Sequence, residues 1–172
     1  MVGKVLFVTL LLPLLLLPAS AVAFCAPGSL IGNVTYVRTA EKIELGGVFM
    51  IQLQGLAAPK LNEPGGSEAN VAMRTIALGK KVRCELSGEE SYAHCIAVCY
   101  LDDVDIGEEL IRQGRARSCP RLSGPRYRLA ELEAVGRGAT ISETYDLPSY
   151  CRNSKGPQSS TLDPQRIITP SS

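Results

Sequence analysis

The sequence has no excess of positive charge. It contains 18 lysine and arginine residues against 17 aspartate and glutamate residues, for a formal net charge of +1. Lys4 lies in an N-terminal segment that we expect to be removed, which leaves the rest of the chain balanced. A protein that grips a polyphosphate through charge should be basic. The balance therefore counts against a nucleic-acid partner, unless the six arginines at positions 112, 115, 117, 121, 126 and 128 form an anion-binding patch rather than a solvated helix face.

Histidine is nearly absent, which bears on metal sites. His94 is the only histidine, and the spacing of Cys95 and Cys99 is not that of a zinc knuckle. We therefore expect no metal or other cofactor. All six cysteines lie beyond residue 24, and an even number of cysteines in an exported chain indicates disulfides. Spacing alone leaves their connectivity open.

Charge is also missing from the N-terminus, where Lys4 is the only charged residue before Arg38. Residues 5–17 form a leucine-rich apolar core, and residues 21–23 (Ala-Val-Ala) form a small-x-small cleavage site. The prolines of this segment and the cleavage motif argue against a retained membrane anchor. We predict a signal peptide over residues 1–23, a periplasmic or secreted protein, and no membrane span after cleavage.

The composition changes again beyond about Tyr150. Residues 154–172 are rich in serine, proline, threonine and glutamine and show no periodicity, as is typical of disordered chain. We therefore expect a disordered tail over residues 151–172. Residues 24–150 remain as one domain, long enough to bury a core and expected to be a monomer.

Hydrophobic patterns inside this domain predict strands and helices. Apolar and polar residues alternate, as in half-buried strands, over residues 30–37, 42–45, 48–56, 80–86 and 94–101. Turns are predicted at residues 46–47 and 87–91. Helical spacing predicts a helix over residues 67–78, capped by Ser67 and ended by Gly79, and a last helix over residues 126–135.

Residues 105–117 are the most informative stretch. Ile106, Leu110 and Ile111 recur at helical spacing, and Gly114 fits a left-handed helix cap. The stretch resembles the segment that follows the barrel in thermonuclease-like (staphylococcal-nuclease-like) domains, D-(I/L)-G-E-x-L-(I/V)-x-x-G-x-A. The resemblance implies a mainly β, α+β fold: a five-stranded barrel of the oligonucleotide/oligosaccharide-binding (OB) class with about three helices.

The same resemblance implies a phosphodiester-cleaving site. Such sites use a calcium ion, two arginines that bind phosphate, and a glutamate that serves the attacking water. At the matching catalytic positions this sequence has Gln52 and His94 instead of the arginines and Lys60 instead of the glutamate. The positions that match the metal site carry Thr39, Glu41 and Ala57, whereas Leu53, Gly55 and Pro59 keep the frame of the motif.

These substitutions favour a catalytically inactive pseudo-nuclease that acts as a binding or structural module, with an unidentified envelope protein or ligand as its partner. Lys60 cannot act as a carboxylate, Ala57 cannot bind calcium, and Gln52 cannot neutralise a phosphate. One alternative is a calcium-dependent phosphodiesterase that hydrolyses DNA or RNA with a non-standard site of Glu41, His94 and Lys60. Another is an accessory subunit whose cysteine-rich rim docks on an envelope partner.

The resemblance also bears on the disulfides. Many exported members of the family resemble this chain in having one cysteine in each of the strands that hold Cys84 and Cys99, which favours that pair. Cys95 shares a strand face with Cys99, so it is the competing partner and strand register decides between them. If Cys84 pairs with Cys99, the remaining bonds are Cys119–Cys151 and Cys25–Cys95.

Overall fold

The computed structural model describes residues 24–141 and 143–152. The predicted signal peptide, residues 1–23, and the predicted tail beyond Arg152 lie outside the described residues. The description includes Cys151, which is fully buried. Within these ranges no helix is both long and apolar enough to cross a membrane.

Five strands form a closed ring. β1 (Gly28–Thr39) lies between β2 (Lys42–Leu45) and β5 (Lys81–Ser91) and is antiparallel to both. β2 pairs with β3 (Phe49–Leu53), and β5 pairs with β6 (His94–Leu101), again antiparallel. β3 and β6 then pair in parallel and close the ring. The predicted fold class, a mainly β, OB-type arrangement with helices, is confirmed.

Shorter elements complete the domain. The helices are α1 (Gly66–Ala77), α2 (Ile106–Arg112), α3 (Pro120–Ser123) and α4 (Arg128–Gly136), followed by a 3-10 turn at Ser149–Cys151. β4 (Leu56–Ala57) pairs with β8 (Arg117–Ser118) beside the ring, and β7 (Val104–Asp105) pairs antiparallel with the end of β6. The helix predicted over residues 126–135 corresponds to α4, and α3 is a further short helix that the sequence did not predict.

The core fills the ring and the space under the helices. Alternate residues of β2 and β3 point inward, so Ile43, Leu45 and Ile51 are almost completely buried. Met73 of α1 and Leu110 of α2 close the core from the helical side. Each such side chain contributes about 1.5–3 kcal/mol through burial.

Asp105 fixes the start of α2. Its carboxylate accepts hydrogen bonds from the backbone N–H groups of Gly107 at 2.9 Å and Glu108 at 3.2 Å, as an N-cap aspartate does. The hydroxyl of Tyr127 donates to the other carboxylate oxygen at 2.9 Å. Just after the helix Gly114 has a φ of 69°, which confirms the predicted left-handed glycine.

The predicted turn at residues 87–91 is wrong. β5 continues to Ser91, and the chain reverses at Tyr92 and Ala93, whose φ values are 48° and 60°. This end of the hairpin is exposed apart from Ser91, so no alternation of apolar and polar residues marks it as a strand.

Two further predictions in the first half of the chain are corrected. Ser67 does not cap α1, because Gly65, with a φ of 81°, occupies the cap position and no side chain bonds to the helix end. The predicted strand over residues 48–56 is divided at Gly55, which has a φ of 80°. A Cβ at Gly55 would lie 2.6 Å from the Cβ of Ser123, so the chain passes too close to α3 for any side chain there.

All six cysteines form disulfides, as Cys25–Cys95, Cys84–Cys99 and Cys119–Cys151. These are the pairs that the sequence favours. Cys84 lies directly opposite Cys99 in the β5–β6 pair, whereas Cys95 lies opposite Glu90. The register therefore excludes the competing bond from Cys84 to Cys95.

Candidate functional site

The positions that match the family site lie on and beside one edge of the ring. Glu41 occupies the turn between β1 and β2, and Gln52 lies on β3. Ala57 is in β4, Lys60 is in the loop after it, and His94 begins β6. The fold brings Glu41 and Gln52 into contact, because Lys42 at the start of β2 pairs with Gln52.

Glu41 accepts three hydrogen bonds. One carboxylate oxygen accepts from the backbone N–H of Ala58 at 2.6 Å, and the other accepts from the side-chain amide of Gln52 at 3.3 Å. Its own backbone carbonyl accepts from the N–H of Leu53 at 2.8 Å. Burial raises the pKa of the Glu41 carboxyl, while the bonds from Ala58 and Gln52 oppose that rise. The carboxylate thus links β3 and β4 to the β1–β2 turn.

Ala57 is fully buried and offers no ligand atom. It pairs with Arg117 across the β4–β8 ladder and packs against Cys119 and Cys151. Calcium requires about six to eight oxygen ligands. Of the three metal-matching positions only Glu41 has a carboxylate, and its oxygens already bind Ala58 and Gln52.

The residues present therefore do not fit calcium. Thr39, the remaining metal-matching position, uses its hydroxyl oxygen to accept from the N–H of Glu41 at 3.3 Å. Within residues 24–141 and 143–152, no cluster of three or more histidine, cysteine, aspartate or glutamate side chains is arranged to hold a metal ion.

Lys60 points into solvent. Its side chain is 80% exposed, and its ammonium lies 4.0 Å from a carboxylate oxygen of Glu63. The backbone N–H of Lys60 donates to Glu63 at 2.7 Å, so the two residues form a local loop contact. An exposed ion pair at this distance contributes little to stability.

His94 is half-buried at the start of β6. Its Nδ1 lies 3.1 Å from the backbone carbonyl oxygen of Ser91, across the tip of the hairpin. Gln52 lies opposite Ile96 in the parallel β3–β6 pair, so His94, two residues earlier, is on the same face as Gln52. No hydrogen bond or ion pair in the described part of the chain joins His94 or Lys60 to Glu41.

The sequence gives no role to two tyrosines that lie near Glu41. Tyr145 packs beside the Ala57, Cys119 and Cys151 cluster. Burial raises the pKa of Tyr145 and of Tyr150, and the charge of Glu41 raises both further. Cys151 was the one signal in the sequence that the chain end returns to this region, because its bond to Cys119 requires it.

Three arginines of the basic run are paired with acids. Arg112 contacts Glu108 at 2.7 Å, Glu109 at 3.3 Å and Glu133 at 2.9 Å. Arg117 contacts Glu131 at 3.1 Å, and Arg126 lies 4.0 Å from Asp105. These contacts favour a charge-balanced helix face over an anion-binding patch.

Sequence comparison with known proteins agrees with the strand ring described above. Residues 50–140 match the staphylococcal nuclease homologue family. The chain is also similar to the probable staphylococcal-like nuclease CAN1 of Oryza sativa subsp. japonica, with 31% identity over 68 residues, which is 40% of this chain and 20% of that protein. It thus spans about a fifth of the length of the curated relative that it matches. Since the family match covers more than half of the sequence and the strand ring agrees with it, this chain belongs to the staphylococcal nuclease homologue family.

Proposed function

We propose that this protein is an exported pseudo-nuclease, a thermonuclease-like domain that no longer hydrolyses phosphodiesters and serves as a binding or structural module. The observation that carries the proposal is that the carboxylate of Glu41 is already occupied by hydrogen bonds within the protein. Its two carboxylate oxygens bind the backbone of Ala58 and the amide of Gln52, so the one acid of the site holds the fold together.

The other catalytic positions support the same conclusion. A phosphodiesterase needs cations that offset the charge of the transition state and a base that activates water. Gln52 is neutral, and Lys60 is a solvated ammonium whose one ion pair within the described residues is with Glu63. Removing one such electrostatic group typically lowers the rate on the order of 100-fold or more. The replacement of the whole set leaves no measurable hydrolysis.

The contacts of the remaining candidates do not favour a non-standard phosphodiesterase. Glu41, His94 and Lys60 would have to converge on one scissile bond, yet His94 contacts Ser91 at the hairpin tip and Lys60 extends into solvent. The nuclease name of the rice relative describes that protein, which shares 68 aligned residues with this one.

Export to the periplasm or the medium is part of the proposal. Three disulfides in one small domain are typical of oxidising compartments. The apolar N-terminal segment and its cleavage site supply the route. The partner, an envelope protein or another ligand, is unidentified.

A nuclease assay tests the loss of activity. The disulfide-bonded protein is incubated with single-stranded DNA, double-stranded DNA and RNA, in calcium and in chelator, beside an active calcium-dependent nuclease of the family. We expect no cleavage above the chelator control. A matched Glu41→Gln preparation identifies contamination, since a contaminating nuclease would be equal in both samples. Chelator-sensitive cleavage that disappears in Glu41→Gln would overturn the proposal.

A further inference from the structure

The last described segment of the chain crosses the region of Ala57. Residues 143–152, here termed the strap, follow α4 and end at the 3-10 turn Ser149–Cys151. Tyr145 and Leu147 of the strap pack against the cluster formed by Ala57, Cys119 and Cys151. All three members of that cluster have no solvent exposure. The position that in an active relative would carry a calcium aspartate is therefore the floor of a small apolar core.

The strap is fastened through the strand that pairs with Ala57. Arg117 in β8 donates from its guanidinium to the carbonyl oxygen of Tyr145 at 3.3 Å, and the same side chain binds Glu131 at 3.1 Å. Cys119 follows β8 directly and is bonded to Cys151. The strap is thus tied by a covalent bond and by a charged hydrogen-bond donor.

We propose that the strap permanently closes the position at which an active family member would bind its metal, with Cys119–Cys151 as its latch. The inference rests on the proposed function and deepens it, because it says that any ligand of this module binds elsewhere. Both sulfurs are fully buried, and thiol exchange requires access to a sulfur, so the latch is not a redox switch.

Two properties of the strap and of the residues beneath it agree with closure. Burial raises the pKa of Tyr145, as expected for a strap phenol that packs on the Ala57 cluster instead of extending into solvent. Ala57 is also completely buried in its cluster. A carboxylate there would be placed among two half-cystines and a leucine, and Arg117, which pairs with it across the β4–β8 ladder, is already bonded to Glu131 and to the carbonyl of Tyr145.

Hydrogen exchange of the Ala58 amide tests the latch. This amide donates to Glu41 beside the covered position, whereas the amide of Val34, which donates to Lys80 at 2.9 Å, reports on the ring. We expect the double variant Cys119→Ser with Cys151→Ser to exchange at Ala58 at least about 30-fold faster relative to Val34, the lower end of the effect of a disulfide. The variant Cys84→Ser with Cys99→Ser, which removes a disulfide within the ring, is the matched control and should not raise that ratio.

A second pair of variants keeps the test decisive if removal of the latch unfolds the chain. Leu147→Ala removes apolar packing between the strap and the Ala57 cluster and leaves all disulfides in place. It should therefore also raise the ratio of Ala58 to Val34 exchange. Leu129→Ala, on an α4 side chain that is 71% exposed, is its control and should not. The closure would be overturned if the ratio of Ala58 to Val34 exchange stays at its natural value both in the Cys119→Ser, Cys151→Ser variant and in Leu147→Ala.

A mutant cycle tests why position 57 is apolar. With the Cys119–Cys151 bond in place, Ala57→Asp should lower the folding equilibrium constant by about 100-fold or more. When Cys119 and Cys151 are serines, the fold-loss caused by Ala57→Asp should be smaller by a factor of at least about 10. Equal losses in both backgrounds would contradict the proposal.

The two proposals fail in different ways. Unchanged exchange and additive mutations would refute the strap alone, because the missing catalytic groups would still prevent hydrolysis. Calcium-dependent cleavage by the latched protein would refute both.

Discussion

Replacement of Glu41, the acid at a metal-matching position, should show that this residue stabilises the fold. In Glu41→Ala the backbone N–H of Ala58 loses its acceptor, and Ala58 itself is only 6% exposed. An unsatisfied buried donor costs about 1–3 kcal/mol, and the bond from Gln52 is lost as well. We therefore expect the free energy of unfolding to fall by about 1–3 kcal/mol. Glu41→Gln keeps an oxygen for Ala58 and should lose less than about 1 kcal/mol.

The pH dependence separates the charge of Glu41 from its hydrogen bonds. Burial raises the pKa of this carboxyl above 4.5 in the folded state. Its contribution to stability is therefore fully present below the unfolded pKa and is lost as the pH rises through the folded pKa. Glu41→Gln removes this dependence. The free energy of unfolding of Glu41→Gln minus that of the natural protein should therefore be more positive at pH 7 than at pH 4.

Urea denaturation at both pH values measures these differences, with the disulfides left oxidised. The urea midpoints are compared at a constant dependence of the unfolding free energy on urea concentration. A change in that dependence would indicate a different unfolded state. A Glu41→Ala variant within about 0.5 kcal/mol of the natural protein would refute the structural role. A difference between Glu41→Gln and the natural protein that is equal at pH 4 and pH 7 would refute the assignment of its pKa.

Other expectations follow from single contacts. Gly114→Ala should lower the free energy of unfolding by more than about 1 kcal/mol, because the residue has positive φ and a Cβ would overlap the carbonyl oxygen of Ala139; a neutral effect in thermal denaturation would contradict this. Tyr127→Phe should cost about 1–2 kcal/mol through the lost bond to Asp105, and unaltered unfolding would argue against it. Mass spectrometry of the native product should show a chain that starts near Phe24 and has few free thiols, whereas an intact Met1 with alkylatable cysteines would exclude export. Non-reducing peptide mapping should recover a Cys84–Cys99 peptide, and a Cys84–Cys95 peptide would show a different register.

The sequence predicts the parts of the fold in which one face is buried. Residues such as Ile43, Leu45 and Ile51 alternate with polar neighbours, so the strands of the ring are evident from their period. The far half of β5 could not be predicted, because a hairpin that projects into solvent has no buried face to impose a pattern. Its reversal at Tyr92 and Ala93 also lacks the glycine or asparagine that normally marks such a turn.

The candidate site was predictable as a set of positions but not as a set of contacts. Motif spacing identifies Gln52, Ala57 and Lys60 by number. It cannot show that Glu41 binds the backbone of Ala58, 17 residues away, because that bond depends on how β4 leaves the ring. For the strap, the predicted Cys119–Cys151 bond indicates where its end lies, but residues 143–152 have no periodicity, so the packing of Tyr145 and Leu147 on Ala57 could not be predicted.

The disulfide connectivity has a consequence for biosynthesis. The Cys25–Cys95 and Cys84–Cys99 bonds interlace, since Cys84 lies inside the loop that the first bond closes and Cys95 lies inside the second. In the export that we propose, the cysteines would emerge in chain order, so Cys84 is the first that an oxidase could join to Cys25. Native pairing then requires either that the strand ring forms before oxidation or that an isomerase exchanges the early bond. Where oxidation is faster than formation of the ring, the yield of correctly folded protein should therefore depend on the host's disulfide isomerase more than on its oxidase.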